Sequence, residues 1–336
     1  MIDPMNSPVP SPAVSDVTLV VTCYNHQSFI EQCLESVAGQ TFPARQVIII
    51  DDFSRDDSAE TISRWLEHRG TSYTFIRHTQ NVGVCASLNE ALALAEGRYF
   101  CHVSGDDWEE LDRLEVQIPA FDAADQSAAF LVGDIREVDV GGLNLVDHDF
   151  HQRLDHITGL AGQHRLLSSL LKQNSIPAPS TLAHTGRIRE IGGYDESLAF
   201  EDYDLWLRLS LHYSVEYVPG IVSNYRIVNS GLTRNTARRG AVLTSEADML
   251  AKHIGRSPAD DVTISVRLLR IAHDLLELEL PRELRGVLVH AAKAKNDPWV
   301  RKAISQANTR GGLDRIRRHH FAELGIAADG ALPLSN

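Results

Sequence analysis

Residues 17–57 read VTLVVTCYNHQSFIEQCLESVAGQTFPARQVIIIDDFSRDD. Val17–Val21 is apolar and rich in β-branched residues, which suits a buried strand. Between His26 and Gly39, Phe29, Ile30, Cys33, Leu34 and Val37 recur at intervals of three and four, one face of a helix that Gly39 can end. Val47–Ile50 is a second short apolar run. A strand, a helix and another strand at this spacing make a right-handed βαβ unit with parallel strands.

The rhythm continues outward. Asp56–Arg69 reads as a helix closed by Gly70, Tyr73–Arg77 as a strand, Val84–Glu96 as a helix closed by Gly97, and Tyr99–Val103 as a fourth strand. After Trp108 the pattern loosens. Phe130–Val138 and Thr181–His184 read as strands, Gln163–Lys172 and Asp202–His212 as helices, and Val215–Val218 and Ser223–Ile227 as two short strands. Past Arg238 the chain turns helical, with Val242–His253, Val262–Leu280 and further segments to about Leu324, punctuated by Pro258 and Pro281. The fold class is α/β. The expected organisation is a flexible segment at 1–16, an α/β domain at 17–235 with halves 17–108 and 109–235, a helical region at 236–325 and a flexible tail at 326–336.

Composition narrows the functions. The 336 residues carry 32 Lys plus Arg against 45 Asp plus Glu, a formal net charge of −13. That balance argues against broad nucleic-acid binding, which needs a clustered basic face. An acidic protein that binds an anion uses a metal ion, backbone N–H groups or a local basic patch. Met1–Asp16 holds four prolines and lacks the apolar stretch of a secretory signal. No window has the roughly 18–20 apolar residues of a spanning helix. Cys23, Cys33, Cys85 and Cys101 show no CxxC spacing, so buried free thiols in a reducing compartment are expected. The expectation is a soluble cytoplasmic protein, at most peripheral at the inner face of a membrane.

Three polar clusters follow the strands: Thr22-Cys23-Tyr24-Asn25, Asp51-Asp52, and Ser104-Gly105-Asp106-Asp107. Ligands of a parallel sheet bind outside the carboxyl ends of its strands, so the three should converge on one crevice. An acid there can also simply cap the next helix, and Asp57, three before Glu60, suits a capping box with Asp56 beside it. Two acidic pairs on neighbouring strand ends are harder to explain by capping, because juxtaposed carboxylates repel unless a cation or donor compensates them. The first strand is followed by TCYNHQ rather than GxGxxG, and no GxxxxGK[ST] occurs. A diphosphate would therefore be held by Mg²⁺ or Mn²⁺ on the acids. From spacing alone, Glu201-Asp202 reads equally as the N-cap of the helix that follows.

Taken in order, LVVTCYNHQSFIEQCLESVAGQ, VIIIDDFSRDDS, RHTQNVGVCASLNEALALAEGRYF, SGDDW, IGGYDESLAFEDYDLWLRL and NYRI resemble the family 2 glycosyltransferases of GT-A fold. The resemblance runs from about Val17 to Thr233. It implies a Rossmann-like mixed sheet flanked by helices, and inverting transfer from a nucleotide-diphospho-sugar to an acceptor hydroxyl of a glycan or lipid-linked glycan. Thr22, Cys23, Tyr24 and Asn25 would line the nucleotide pocket, with Tyr24 stacking on the base and Asp52 contacting base or ribose. Asp106 and Asp107 would sit at the metal and diphosphate, and Asp202, beside Glu201, would be the catalytic base. Asn81 and Asn89 match positions that organise the loop beside the nucleotide. UDP is the carrier suggested by frequency within the family.

The chain departs from the pattern at Ser104, where an acid is common, and at Val228, where many members carry a histidine that helps bind metal. Arg226 then becomes a candidate diphosphate contact, with a structural salt bridge as the alternative. Residues 290–321 are relatively basic, through Lys293, Lys295, Arg301, Lys302, Arg310, Arg315, Arg317 and Arg318. They read as a solvated face or dimer contact, or as a patch that docks on anionic lipid. The alternative function is a sugar-nucleotide-binding protein without transferase activity. A nucleotidyltransferase shares the layout but would show a glycine-rich basic signature where TCYNHQ stands.

Overall fold

The computed structural model describes residues 14–124, 126–148, 163–228 and 238–307, with Gly311, Leu313 and Ile316. The expected leader, apart from 14–16, and the expected tail lie outside these residues, as do Arg310, Arg315, Arg317 and Arg318 of the basic stretch. The chain divides into two compact units. Among the described residues, the first takes 14–148, Ile176–Tyr194 and His212–Ile227, and the second takes 163–175, Asp195–Leu211, Val228 and everything from 238 on.

The first unit opens with the expected alternation. It runs β1 (Ser15–Cys23), α1 (Ile30–Ala38), β2 (Ala44–Asp51), α2 (Ser58–Arg69), β3 (Thr74–Arg77), α3 (Val84–Leu94) and β4 (Tyr99–Ser104). Then come β5 (Trp108–Glu109), α4 (Arg113–Ala123), β6 (Ala128–Val138) and β7 (Asn144–His148). α5 (Gln163–Lys172) belongs to the second unit, and β8 (Leu182–His184), α6 (Thr185–Glu190) and β9 (Ser214–Arg226) to the first, with α7 (Asp202–Leu209) between them in the second. The sheet order is β3-β2-β1-β4-β8-β6-β9-β5, with β7 on β6. β1 pairs in parallel with both β2 and β4, and β8 joins β4 and β6 in antiparallel fashion, so the sheet is mixed. From Val17 to Cys23 every residue of β1 is buried, as a central strand covered on both faces requires.

Four elements were not expected: β5, α4, β7 and α6. The buried face of α4 carries Arg113 and Gln117 among Leu114, Ile118 and Phe121, and Pro119 lies inside the helix, so its apolar periodicity is broken. The two strands expected at 215–218 and 223–227 are one, β9, which passes through Pro219-Gly220. The register with β6 shifts between Val132 and Asp134, Gly220 takes φ +118°, and its N–H donates to Asp134 at 2.9 Å. A bulge absorbs what the sequence presents as a break.

The second unit is helical. It adds α8 (Arg239–Ala251), α9 (Pro258–Glu277), α10 (Pro281–Ala294) and α11 (Pro298–Gln306) to α5 and α7. Pro258, Pro281 and Pro298 each start a helix, where their missing N–H costs nothing. Ser257 caps α9 by accepting from Asp260 N–H, so that helix begins before the expected Val262. The expected boundary near 235 does not follow the division in space, because α5 and α7 pack with the C-terminal helices. Tyr203 donates its hydroxyl proton to Leu170 O, and the Arg267 guanidinium reaches Leu171 O, Tyr203 and Glu246. Among the described residues no helix is long and apolar enough to cross a membrane.

Candidate active site

Cys23 stands level with Asp51, and Thr22 with Ser104, across the parallel register. The pairing extends just past the strands: Asp52 N–H donates to Cys23 O at 2.9 Å and Gly105 N–H to Thr22 O at 2.8 Å. A Cβ on Gly105 would lie 2.9 Å from Ile30 and 3.0 Å from the His26 ring, so this close approach requires glycine. Thr22 Oγ1 lies 2.8 Å from His102 Nε2. Burial, with help from the Arg113 charge, lowers the His102 pKa to about 4, so the ring is neutral. Burial pushes the Cys23 thiol up to about 12, which removes it as a nucleophile.

Past the strands, the loops after β1 and β2 bond reciprocally. Asn25 N–H donates to Ser54 Oγ, Arg55 N–H to Asn25 Oδ1, His26 N–H to Ser58 Oγ, and Gln27 N–H to Asp56. The capping expectation shifts by one residue. Asp57 occupies the N-cap of α2 without a side-chain cap bond, while Asp56 accepts from Ser58 N–H at 3.0 Å and Ser58 Oγ at 2.5 Å. Asn25 and Phe53 have φ of +60° and +64°. Asparagine tolerates that region; for phenylalanine it costs about 1–2 kcal/mol.

Asp52 is buried, and its carboxylate organises the loop before α3. It accepts from Val82 N–H and Gly83 N–H, each at 2.8 Å, and lies 2.8 Å from His78 Nδ1. His78 Nε2 lies 2.9 Å from Glu90, and Asn81 Nδ2 donates to Asp52 O at 3.1 Å. Burial acts to lower the His78 pKa, but the two carboxylates outweigh it and raise it. Asn89 turns elsewhere: its amide donates to Tyr194 O at 2.9 Å and accepts Tyr194 N–H at 2.8 Å, beside Gly193 at φ +73°. It holds the corner before residue 195.

In the third cluster Ser104 Oγ donates to Asp106 Oδ1 at 2.5 Å, and His26 Nε2 lies 3.8 Å from the same oxygen. Asp107 is buried and accepts Arg226 N–H at 2.7 Å; burial and then the Asp106 charge push its carboxyl well above the usual range. The Arg226 guanidinium is sandwiched between Phe29 and Trp108, 4.6 and 4.8 Å from the ring centroids. It donates to Asp106 O at 2.8 Å, Val140 O at 2.6 Å and Gln32 Oε1 at 2.7 Å. Those partners describe a clamp on the Asp106-Asp107 segment rather than an open contact for a diphosphate. Among the described residues no carboxylate oxygen lies within salt-bridge distance of this guanidinium.

Among the described residues no group of three or more His, Cys, Asp or Glu side chains is arranged to hold a metal ion. Asp106 is the partly open carboxylate of the motif, and Val228 contributes no ligating atom. Mg²⁺ and Mn²⁺ need only one or two carboxylates when substrate phosphates and water complete the shell. The donor set therefore fits a cation that arrives with a diphosphate, and fits an independent cation poorly.

Glu201 and Asp202 lie in the second unit at the start of α7. Glu201 takes the N-cap position with no side-chain cap bond, so plain capping does not occupy it. Asp202 Oδ2 accepts from Asn174 Nδ2 at 3.3 Å. Burial and then the Asp202 charge raise the Glu201 pKa to about 7, and burial raises Asp202 as well. Such a pair is poised as a proton acceptor near neutral pH. Asp204 is different, buried and bonded to Arg208 and Lys252, each at 2.6 Å. Trp206 and Leu209 are core residues. Sequence reasoning did not single out His78, Asn174 or Phe53. The first two meet their carboxylates across 26 and 28 residues, beyond any local pattern.

Residues 18–175 match the family described as glycosyl transferase family 2. An uncharacterized glycosyltransferase of Rickettsia prowazekii is 26% identical over 222 residues, 66% of each chain. The poly(ribitol-phosphate) beta-glucosyltransferase of Bacillus spizizenii is 24% identical over 274 residues, covering 75% of this chain and 42% of the relative. Over the first four curated relatives, the chain spans between 27% and 66% of their length. Among solved structures, S. aureus TarS 1-349 in complex with UDP-GlcNAc aligns with a TM-score of 0.64 at 17% identity, covering 92% of both chains. The mannosyltransferase PcManGT from Pyrobaculum calidifontis, in complex with GDP-Man and Mn2+, aligns with a TM-score of 0.56 at 18% identity over 95% of this chain and 84% of that one. The mixed sheet thus has the fold of these solved structures, and residues 18–175 carry the match to glycosyl transferase family 2.

Proposed function

We propose that the chain is an inverting glycosyltransferase that moves a sugar from a nucleotide-diphospho-sugar, with UDP as carrier, to a hydroxyl of a glycan or lipid-linked glycan. The observation that carries this reading is the alignment of Tyr24, Asp52 and Asp106 just beyond the level ends of β1, β2 and β4, within a family 2 domain. Solved proteins of this fold holding UDP-GlcNAc, UDP, or GDP-Man with Mn2+ support the donor class. The poly(ribitol-phosphate) beta-glucosyltransferase supports a polymeric acceptor.

The chemistry divides among few groups. Tyr24 and Asn25 line the nucleoside, Tyr24 stacking on the base; Thr22 and Cys23, buried at the end of β1, support them, and Asp52 with Asn81 shapes the facing loop. A divalent cation, Mn²⁺ or Mg²⁺, carried by Asp106 would offset the charge that the departing diphosphate gains. Asp107, held by Arg226, keeps Asp106 in place. Asp202 takes the proton of the acceptor hydroxyl as its oxygen bonds to the anomeric carbon and the bond to the diphosphate breaks. One displacement from the opposite face inverts that carbon and needs one base. Glu201 keeps the base poised, and Asn174 orients it. Lys293, Lys295, Arg301 and Lys302 are exposed and would supply peripheral contact with anionic lipid at the inner face of a membrane.

Calorimetric titration with UDP, GDP, dTDP and CDP, each with Mn²⁺, Mg²⁺ or EDTA, tests the donor half. One diphosphate should bind with metal and lose that binding in Asp106→Ala; no binding by any of the four sinks the proposal. Asp202→Asn should bind the same diphosphate normally and lose roughly 10²–10⁴-fold in transfer. Binding without turnover in the parent chain would instead favour the degenerate sugar-nucleotide-binding protein.

A further inference from the structure

Phe53 is an oddity of the β2–α2 loop. It sits at φ +64°, a region that glycine or asparagine enters freely and a bulky aromatic does not. The residue is nevertheless 38% exposed and has no place in the core cluster. Asn25, at φ +60° in the adjoining loop, is a residue that suits such a turn; Phe53 is not. A strained residue outside the core is a candidate for function when its surroundings hold it rigidly.

The surroundings do. Ser54 N–H donates to Asp51 Oδ1 at 3.0 Å, fixing the turn on the C-terminal side of Phe53. Asp52, on the other side, is tied through its N–H to Cys23 O and through its carboxylate to Val82 and Gly83. The Arg55 guanidinium stands over one face of the Phe53 ring, 5.6 Å from its centroid, and Arg55 N–H is itself anchored on Asn25. Tyr24 follows Cys23 directly, so Tyr24 and Phe53 leave neighbouring parallel strands at nearly the same level. Two aromatic residues therefore follow neighbouring strand ends, one of them at a backbone conformation it does not prefer.

We infer that Phe53 is a base-binding wall of the nucleoside pocket, offering its ring to the nucleobase of the donor beside Tyr24. This rests on the donor reading above and deepens it. The ligand chemistry is a planar aromatic base: stacking on phenylalanine is sequence-tolerant and involves no contact with phosphate. Arg55 stiffens the ring from the side it covers. The inference separates the base from the diphosphate. Phe53 should contribute to binding of a nucleoside diphosphate and nothing to binding of its phosphates alone.

The test is calorimetric titration of the full chain and of Phe53→Leu and Phe53→Gly, with UDP and with inorganic pyrophosphate, both in Mn²⁺. Phe53→Leu should raise the Kd for UDP by roughly tenfold, the scale of a lost base–aromatic stack, and leave that for pyrophosphate unchanged. Phe53→Gly should show the same split while melting no lower than the parent, because glycine fits the left-handed turn. An unchanged UDP Kd in Phe53→Leu overturns the inference alone, as does an equal loss for pyrophosphate, which would mean a merely structural loop. Failure of the parent chain to bind any of the four nucleoside diphosphates overturns the donor reading together with this one.

Discussion

Arg226 decides between two meanings that its position in the sequence leaves open. Its guanidinium lies between two aromatic rings and donates to Asp106 O, Val140 O and Gln32. Lysine could not reproduce that planar fork or its stacking. Arg226→Lys should therefore cost about 2–4 kcal/mol in urea unfolding, in line with losing several hydrogen bonds from a charged, buried group. Near-parental stability combined with weakened UDP binding would return the residue to the diphosphate. At this scale the strand-end positions were legible in the sequence, while the directions of their side chains were not. Asn89 and Asn81 occur in one helix-and-loop segment and look alike in sequence, yet one grips Tyr194 and the other Asp52. The partner that decides each role is distant along the chain.

Elements were legible where burial is apolar and hidden where it is polar. β1, α1, β2, α2, β3, α3 and β4 all formed where apolar spacing put them. α4 did not announce itself because its inner face is built on an ion pair. Arg113 and Glu109 are both fully buried and bonded to each other. Arg113 also donates to Gln117 and to Thr181 O at 2.9 Å, and Gln117 donates to Ser180 O at 2.6 Å, so α4 is tied to the segment entering β8. Removing one partner leaves the other charge buried and unpaired. Arg113→Ala should lose about 3–5 kcal/mol in denaturant unfolding, whereas the double change Arg113→Met with Glu109→Leu should recover much of that loss. If the single and double variants unfold alike, polar pairing is not what holds the helix. The helices after Arg238 were legible as helices, but Pro258 and Pro281 read as interruptions when they are starts. A proline is compatible with both, and only the cap beside it tells which.

Across the whole molecule, acidity would couple stability to the proposed catalysis with opposite signs. Glu109 and Glu201 are each raised to about 7, chiefly by burial, and Asp107 and Asp202 are raised too. A carboxyl raised in the folded state holds its proton more tightly there than in the unfolded chain. Stability is then lost as pH rises from the unfolded value toward the folded one. His78, also raised, adds stability below its unfolded value that is lost as pH climbs through its folded value. His102 and His253, lowered to about 4 by burial, work the other way, chiefly below about 6.5, where the unfolded rings are mostly charged. At about 6.5 the unfolded rings are half charged, and above it the histidine gain fades over about one pH unit and stops opposing the carboxyls. The net charge of −13 at pH 7 adds self-repulsion in the same direction. Melting temperature should therefore fall between about pH 6.5 and 8, and Glu201→Gln should flatten the fall. Over that same interval kcat/KM should rise, because the base must lose its proton to act. In the proposed mechanism, ionising the pair at the start of α7 weakens the fold as it arms the site. A melting temperature that climbs from pH 6.5 to 8, or an acid limb of kcat/KM near the ordinary carboxylate value of about 4, would remove the raised pair from the mechanism.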